Sequence, residues 1–280
     1  MPFLELFDET LDINSTENYD LSVQISAAGL AFCILDTIRN KYILIRSAEP
    51  DDNKLLSADA IREMIAKDDF LVRRFRKVNI VLPSQKFTLV PSPLFDPGKK
   101  DDYFTYNHTL GSNDIIAANR LTDPDAYTIF AVNREIYEIP MHFWPAAFPF
   151  HHTKPLLNLL SHQSKSVQGH YVHVHLEKEF FNLLVYEKGL LRFSNTFTFR
   201  NISDILYYVL NTFKTMDISH SEHVHFSGLT SRHDDLWSGF SMYLKNLEFV
   251  NPSGNFTFSY VFNEVELHRY INLFSVASCG

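Results

Sequence analysis

The sequence of 280 residues contains little cysteine and no segment that is typical of secretion or membrane insertion. Only Cys33 and Cys279 are present, which excludes a disulfide framework and predicts a reducing, cytoplasmic location. Residues 1–18 lack the basic start and apolar centre of a signal peptide. No apolar run reaches the roughly 18 residues that a membrane-spanning helix needs, so we expect no membrane span.

The sequence also has fewer positively than negatively charged residues. There are 25 Lys and Arg residues against 33 Asp and Glu, which gives a formal net charge of −8. This balance disfavours duplex DNA or an anionic membrane as the main partner, and we expect no nucleic-acid partner. The single basic run is Arg73-Arg74-Phe75-Arg76-Lys77. We interpret it as the solvated end of a helix, with an RNA contact as the alternative.

The motifs of several large enzyme classes are missing. The sequence has no Gly-x-Ser-x-Gly elbow, no Walker loop and no Gly-x-Gly-x-x-Gly fingerprint. The pair His233-Asp234 occurs in metal-dependent phosphohydrolases, but at a predicted helix start it is more typical of a cap. We therefore assign no catalytic residue.

One three-stranded pattern occurs twice. Residues 20–47 and 169–199 each contain an alternating strand, a turn, a continuous apolar run, a second turn and a third strand. Val23 and Val174 lie midway along the two first strands. This duplication predicts two similar domains, each organised around an antiparallel meander.

Helices and further strands follow each meander in nearly the same order. We predict an N-terminal extension over residues 1–18, a first domain over 19–152 and a second domain over 153–280. The boundary is placed by the aromatic, proline-broken stretch at 144–152, where His151-His152 is interpreted as a solvated helix entry. A strand is predicted at 256–262, and a last helix at 264–274 that can return to the first domain.

This order of elements resembles the actin-like ATPase superfamily, with its ribonuclease H-like fold, which includes sugar kinases and heat-shock ATPases. Short pieces such as Leu21-Ser22-Val23-Gln24-Ile25-Ser26 and Ile136-Tyr137-Glu138-Ile139-Pro140 are similar to an uncharacterised bacterial family, catalogued as a domain of unknown function with an actin-like fold. The resemblance implies an α/β protein of two similar domains, each with a mixed five-stranded sheet that is led by a meander and flanked by helices. It implies no particular activity.

The resemblance also says where a nucleotide would bind. Active members of the superfamily hold ATP phosphates and magnesium with Gly and Asp residues in the turn after the first strand of each half. Here the first turn, Ser26-Ala27-Ala28-Gly29, has one glycine and no carboxylate, and the second, Glu177-Lys178-Glu179, has no glycine and two acids. These residues disfavour ATP hydrolysis, because buried unmatched charge is costly.

Weak nucleotide binding through Gly29, Gly228 and Thr230 is the alternative that these degenerate loops leave open. The adenosine loop of active members carries a glycine pair, whereas Ser227-Gly228-Leu229 offers one glycine. An enzyme would further need a carboxylate at the cleft between the domains. The candidates are Asp36, Glu177 and Asp234.

Histidine forms the most suggestive polar cluster. His173 and His175 alternate with apolar residues on one predicted strand, and His223 and His225 do so on another. If the strands are neighbours, four imidazoles could reach one Zn²⁺. The alternative is that both pairs form hydrogen bonds with the surrounding protein.

The sequence thus supports three hypotheses. The leading one is a non-catalytic interaction or scaffold protein that binds another protein and needs no cofactor. The first alternative is a nucleotide-binding protein or an ATPase- or kinase-like enzyme with atypical phosphate loops. The second alternative is a histidine-based metal-binding protein.

Overall fold

A computed structural model describes residues 3–50 and 54–279 of the chain. Leu157–Pro252 and Glu266–Ile271 form one compact unit, called the second unit here, and the other described residues form the first unit. None of the helices in the described ranges has the length and apolarity that crossing a membrane requires.

Strands and helices are interspersed along the described residues. The strands are β1 (Phe3–Phe7), β2 (Tyr19–Ser26), β3 (Gly29–Asp36), β4 (Lys41–Ala48), β5 (Lys77–Leu82), β6 (Phe87–Pro91), β7 (Asp114–Leu121), β8 (Ala126–Asn133), β9 (Pro149–His151), β10 (His170–Leu176), β11 (Phe180–Glu187), β12 (Leu190–Thr198), β13 (His223–Gly228), β14 (Asn246–Phe249) and β15 (Thr257–Phe258). The helices are α1 (Ala58–Lys67), α2 (Lys100–Asn107), α3 (Arg134–Phe143), α4 (Thr153–Ser164), α5 (Ile202–Thr215), α6 (Asp235–Ser241) and α7 (Ile271–Val276).

The main sheet of the first unit is built on the predicted meander. Its strand order is β1-β4-β3-β2-β5-β9, with β2, β3 and β4 antiparallel and with β5 and β9 parallel to their neighbours. The five strands from β4 to β9 are those that the resemblance implies. The outer edge of β4 is also paired, with β1 over Leu44–Ala48 and with β15 over Lys41 and Tyr42.

One face of this sheet carries the core of the first unit. Leu21, Val23 and Ile25 alternate along β2, and all three are fully buried in one cluster with Ile61 and Ile65 of α1. Burial of one such side chain contributes about 1.5–3 kcal/mol. Helix α1 starts where the Ser57 hydroxyl accepts a hydrogen bond from the Ala60 amide at 3.1 Å.

A smaller antiparallel sheet, of order β6-β8-β7, belongs to the same unit. Helix α2 packs against it through Phe104, which is fully buried with Val90 and Ile129. The sequence pattern did not predict α2 or β7, because the burial of β7 is only partial along most of its length.

The second unit repeats the arrangement with a five-stranded sheet of order β12-β11-β10-β13-β14. Val172, Val174 and Leu176 of β10 face its core together with α5 and α6. Helix α5 begins with a capping box between Asn201 and Asp204. The predicted fold class, a mixed α/β protein led twice by a three-stranded meander, is confirmed.

Candidate functional site

The first predicted phosphate turn, Ser26–Gly29, is closed by bonds within its own unit. The Ala28 amide donates to the Ser26 hydroxyl at 3.2 Å, and the Ala27 carbonyl accepts from the Leu56 amide at 2.7 Å. A Cβ on Gly29 would lie 2.9 Å from the carbonyl oxygen of Ala48. Close packing against β4 therefore explains why glycine stands at this position, with no phosphate needed.

The second predicted phosphate turn is a tight hairpin between β10 and β11. The Glu177 amide donates to the Phe180 carbonyl at 2.9 Å. The Glu177 carboxylate lies 3.3 Å from Nε2 of His175, and Glu179 is exposed. The turn thus presents carboxylates where a phosphate site needs donors.

The predicted adenosine loop after β13 is bound to the end of β10. Gly228 has a φ of +83°, and a Cβ there would lie 2.0 Å from the carbonyl oxygen of Leu176. That same carbonyl accepts a hydrogen bond from the Leu229 amide at 2.9 Å. The loop is fixed against the strand by backbone contact, which requires glycine on steric grounds.

Thr230 is likewise engaged by the second unit itself. Its hydroxyl donates to Asp234 at 2.7 Å, and its carbonyl accepts from Nε2 of His268 at 2.7 Å. The threonine is buried. Gly228 and Thr230, the residues predicted for weak nucleotide binding in this half, therefore both serve the internal packing of the loop.

The three candidate carboxylates also have protein partners. Asp36 accepts from the Ile38 and Arg39 amides and pairs with the Arg39 guanidinium at 2.6 Å. It ends β3, seven residues beyond Gly29, so it lies about 23 Å from the first phosphate turn along an extended strand. Asp234 caps α6 by accepting from the Trp237 amide at 2.7 Å, and Glu177 faces His175.

The four predicted histidines do lie on neighbouring strands, with His173 in register with His225. His173 and His175 both contact the Ser227 hydroxyl, at 2.8 and 2.7 Å. A hydroxyl carries one proton, so Ser227 donates to one imidazole and accepts from the other. His223 and His225 do not contact this hydroxyl: Nδ1 of His223 lies 2.8 Å from Glu248, and Nδ1 of His225 lies 3.2 Å from the Val172 carbonyl.

Burial lowers the pKa of His173 well below its ordinary value, and the nearby His175 and His225 lower it further. Within the described ranges, no group of three or more His, Cys, Asp or Glu residues is arranged to hold a metal ion. The zinc site stays a prediction that metal analysis decides.

His151 and His152 lie in the first unit and are fully buried, so the prediction of a solvated helix entry is wrong. Nε2 of His151 donates to the Ser84 carbonyl at 2.9 Å, and Nδ1 accepts from the Thr153 hydroxyl at 2.6 Å. The neighbouring aromatic residues Phe87 and Phe130 pack against its ring. An imidazole with both nitrogens bonded can be buried without a charge.

Comparison with known protein families identifies the family of this chain. The family DUF3822, described as proteins of unknown function, matches residues 8–247. The chain belongs to this family. No curated protein matches it.

Solved structures that resemble this DUF3822 chain confirm the actin-like fold. One is a protein from Bacteroides thetaiotaomicron VPI-5482, described as having an actin-like ATPase fold and unknown function. It is 22% identical with a TM-score of 0.74, over 86% of this chain and 94% of that one. Another is the PilM-PilN type IV pilus biogenesis complex, at 13% identity and a TM-score of 0.59, over 92% of this chain and 98% of that one.

A further candidate site in the DUF3822 chain lies in the first unit and includes the basic run, for which the sequence left an RNA contact as the alternative. β5 and β9 are parallel neighbours, with Ile80 opposite Pro149. Residues 72–79 and 143–150, which lead into and begin these two strands, therefore lie side by side. They line a cavity of about 780 Å³, which we call the basic groove.

The basic groove contains the whole basic run. Residues 68–76 contain turns and bends and no helix, so the prediction that the run is the end of a helix is wrong. Arg73, Arg74 and Arg76 are exposed, while Phe75 is buried in the core. A sequence signal existed in the run itself, but the aromatic wall is contributed by residues about 70 positions later in the chain and comes close only through parallel strand pairing.

Proposed function

We propose that this DUF3822 protein is a non-catalytic, cytoplasmic interaction protein that uses an actin-like fold to bind another protein. The proposal rests on the hydrogen bonding of the loops that would have to bind a nucleotide. The two phosphate turns and the adenosine loop that the resemblance implies are held by hydrogen bonds inside their own units.

Rebuilding those loops around a nucleotide would be costly. Leu229 and Thr230 would have to give up bonds to Leu176, Asp234 and His268. Each buried polar group left without a partner costs about 1–3 kcal/mol. The carboxylates of Glu177 and Glu179 would also repel a triphosphate.

A similar fold in a protein assembly supports the second half of the proposal. The PilM-PilN structure is a complex. An actin-like fold can therefore be seated in an assembly with another protein, and we propose the same use for this chain.

Thermal unfolding with and without millimolar ATP and magnesium tests the non-catalytic half. We expect an unchanged melting temperature and no release of phosphate. A ligand at 100 times its Kd would stabilise the folded state by about 2.7 kcal/mol. A shift of several degrees would therefore support the nucleotide-binding alternative and sink the proposal.

Two further measurements address the remaining alternatives. Elemental analysis of the purified protein should find no stoichiometric zinc, and a full equivalent would support the histidine-based metal site. Chemical cross-linking in the native cell, followed by mass spectrometry, should identify a protein joined to the chain at a reproducible position. Cross-links spread evenly over the surface would contradict a specific partner.

A further inference from the structure

We propose that the basic groove is the docking site for an acidic, extended segment of the partner protein. This inference rests on the proposed function, because it names the surface and the chemistry through which that partner would bind. The charge of the groove, its apolar wall and a buried amide at its inner side all favour such a segment.

The charge of the groove has one sign. Arg73, Arg74, Arg76 and Lys77 all line it, and none of its lining residues is acidic. The chain as a whole has a formal charge of −8, so this concentration of cations is local. A groove of this kind attracts a ligand of opposite charge.

Internal pairing leaves part of that charge available. Arg76 lies 2.5 Å from Asp20, and Nε of Arg73 donates to the Asp69 carbonyl at 3.3 Å. The guanidinium of Arg74 has no bonding partner among the described residues. It is exposed and can bind a carboxylate in a bidentate manner.

A further positive charge borders the groove from α4. Nζ of Lys154 lies 4.1 Å from the centre of the Phe150 ring, which itself lines the groove. The ammonium group thus adds to the positive potential at the end of the aromatic wall.

The opposite wall is aromatic and incompletely covered. Phe148 of this wall is 80% exposed, and Val72, beside the basic run on the other side, is 55% exposed, although both are large apolar side chains. Phe143 and Phe150 are partly buried beside them, and Trp144 is buried. A ligand that covers this wall must carry apolar groups as well as acids, which favours a peptide over a small inorganic anion.

The inner side of the groove holds an amide with unmet bonding capacity. Asn79 lines the groove and is only 1% exposed, and neither Oδ1 nor Nδ2 has a partner among the described residues. A side-chain amide can both donate and accept, as can the N–H and C=O of an extended backbone. A peptide group brought to this side would meet a matching donor and acceptor.

Single-stranded RNA also binds to basic and aromatic surfaces, but it fits this groove less well. RNA-binding surfaces extend cations along a backbone of several nucleotides. Here the lining cations belong to one five-residue run. The acidic remainder of the chain would repel the flanking phosphates.

Selection from a random peptide library displayed on phage tests the proposal with the full chain as bait. We expect enrichment of peptides that combine Asp or Glu with Phe, Leu or Tyr. Arg74→Glu and Phe148→Ser should each weaken binding of an enriched, synthesised peptide at least tenfold by fluorescence anisotropy. Both side chains are exposed, so the fold should survive, and urea unfolding checks this.

Matched control variants lie in the same unit outside the groove. Lys99 and Tyr106 are both exposed. Lys99→Glu changes the net charge as Arg74→Glu does, and Tyr106→Ser removes an exposed ring of similar size to Phe148. Both variants should bind the peptide as the wild type does, and binding should weaken as salt is added.

Three outcomes would overturn the groove assignment. The first is that no peptide is enriched. The second is that enriched peptides bind the groove variants as tightly as the wild type. The third is that no peptide binds, whereas a single-stranded oligouridine probe binds and Arg74→Glu abolishes that binding. If the groove assignment is refuted and ATP leaves the melting temperature unchanged, the proposed function still holds, and the partner protein binds to another surface. A melting shift with ATP would refute the proposed function whatever the groove does.

Discussion

Acid should destabilise both units through one fully buried histidine in each. His151 lies in the first unit and His173 in the second, and neither side chain is accessible to solvent. Burial lowers the pKa of both imidazoles well below the ordinary value, and neighbouring histidines, one beside His151 and two beside His173, lower it further. The perturbation is to replace each with glutamine, which cannot be protonated.

The size of the effect follows from proton binding by the unfolded chain. An unfolded histidine has a pKa of about 6.5. Between pH 7.5 and 5.5 it takes up most of one proton, whereas the buried imidazole stays neutral while the pH remains above its lowered pKa. The contribution of the buried histidine to the free energy of unfolding is therefore complete above the unfolded pKa and is lost as the pH falls below it. The loss is about 1.4 kcal/mol per histidine between pH 7.5 and 5.5.

The two tryptophans allow each unit to be followed separately. Trp144 belongs to the first unit and Trp237 to the second. Urea unfolding of a Trp237→Phe protein, with and without His151→Gln, reports on the first unit by fluorescence. A Trp144→Phe protein, with and without His173→Gln, reports on the second.

Between pH 7.5 and 5.5, the free energy of unfolding of each glutamine variant should fall by about 1.4 kcal/mol less than that of its parent protein. His225 and His268, whose pKa values are also lowered mainly by burial, remain in both members of a pair and cancel. The exposed His162, replaced by glutamine, serves as the control and should leave the pH dependence unchanged. Parallel curves for parent and buried-site variant would refute the reasoning.

Three other changes have defined outcomes. Gly228→Ala should lower the free energy of unfolding by more than about 3 kcal/mol or prevent folding. The new Cβ would lie 2.0 Å from the Leu176 carbonyl oxygen, and φ at this position is positive. A loss under about 1 kcal/mol in urea unfolding would contradict this. Asp234→Ala removes the cap of α6 and should cost about 1–2 kcal/mol, which thermal unfolding by circular dichroism would measure; an unchanged midpoint would argue against the cap. Cys33 is fully buried, so its thiol should react with a disulfide reagent at pH 8 only after unfolding. Cys279 is partly exposed, and burial raises its pKa to about 11, so it should react slowly in the folded protein. Rapid reaction of both thiols in the folded protein would count against this.

The meanders could be predicted from sequence because their strands, seven to nine residues long, show alternating or continuous apolar patterns. Leu21, Val23 and Ile25 show the pattern clearly, and all three are buried on one face. The order of strands then led to the actin-like fold. The short pairing of β15 was not predictable at its observed length: the strand predicted at 256–262 is reduced to Thr257–Phe258, which is fixed by pairing with β4.

The end of the chain and the candidate sites depend on contacts that a local pattern does not encode. The last helix, predicted over 264–274, is a 3-10 turn at Leu267–Tyr270 followed by α7. Glu177 and Asp234 were recognised as chemically capable residues, but only the structure shows their bonds to His175 and to the start of α6. Side-chain partners across strands and loops decide whether a carboxylate is available, and the sequence alone does not specify them.

The two meanders differ at one edge, and that difference should govern how their backbone amides exchange with solvent deuterium. The outer side of β4 is paired with β1 and β15, whereas β12 has only β11 as a strand partner within residues 3–50 and 54–279. The outward N–H groups of β12 therefore have no strand partner among these residues and can exchange without any strand being released. Those of β4 that bond to β1 or β15 need the release of that strand first, so two copies of one pattern should have very different exchange lifetimes.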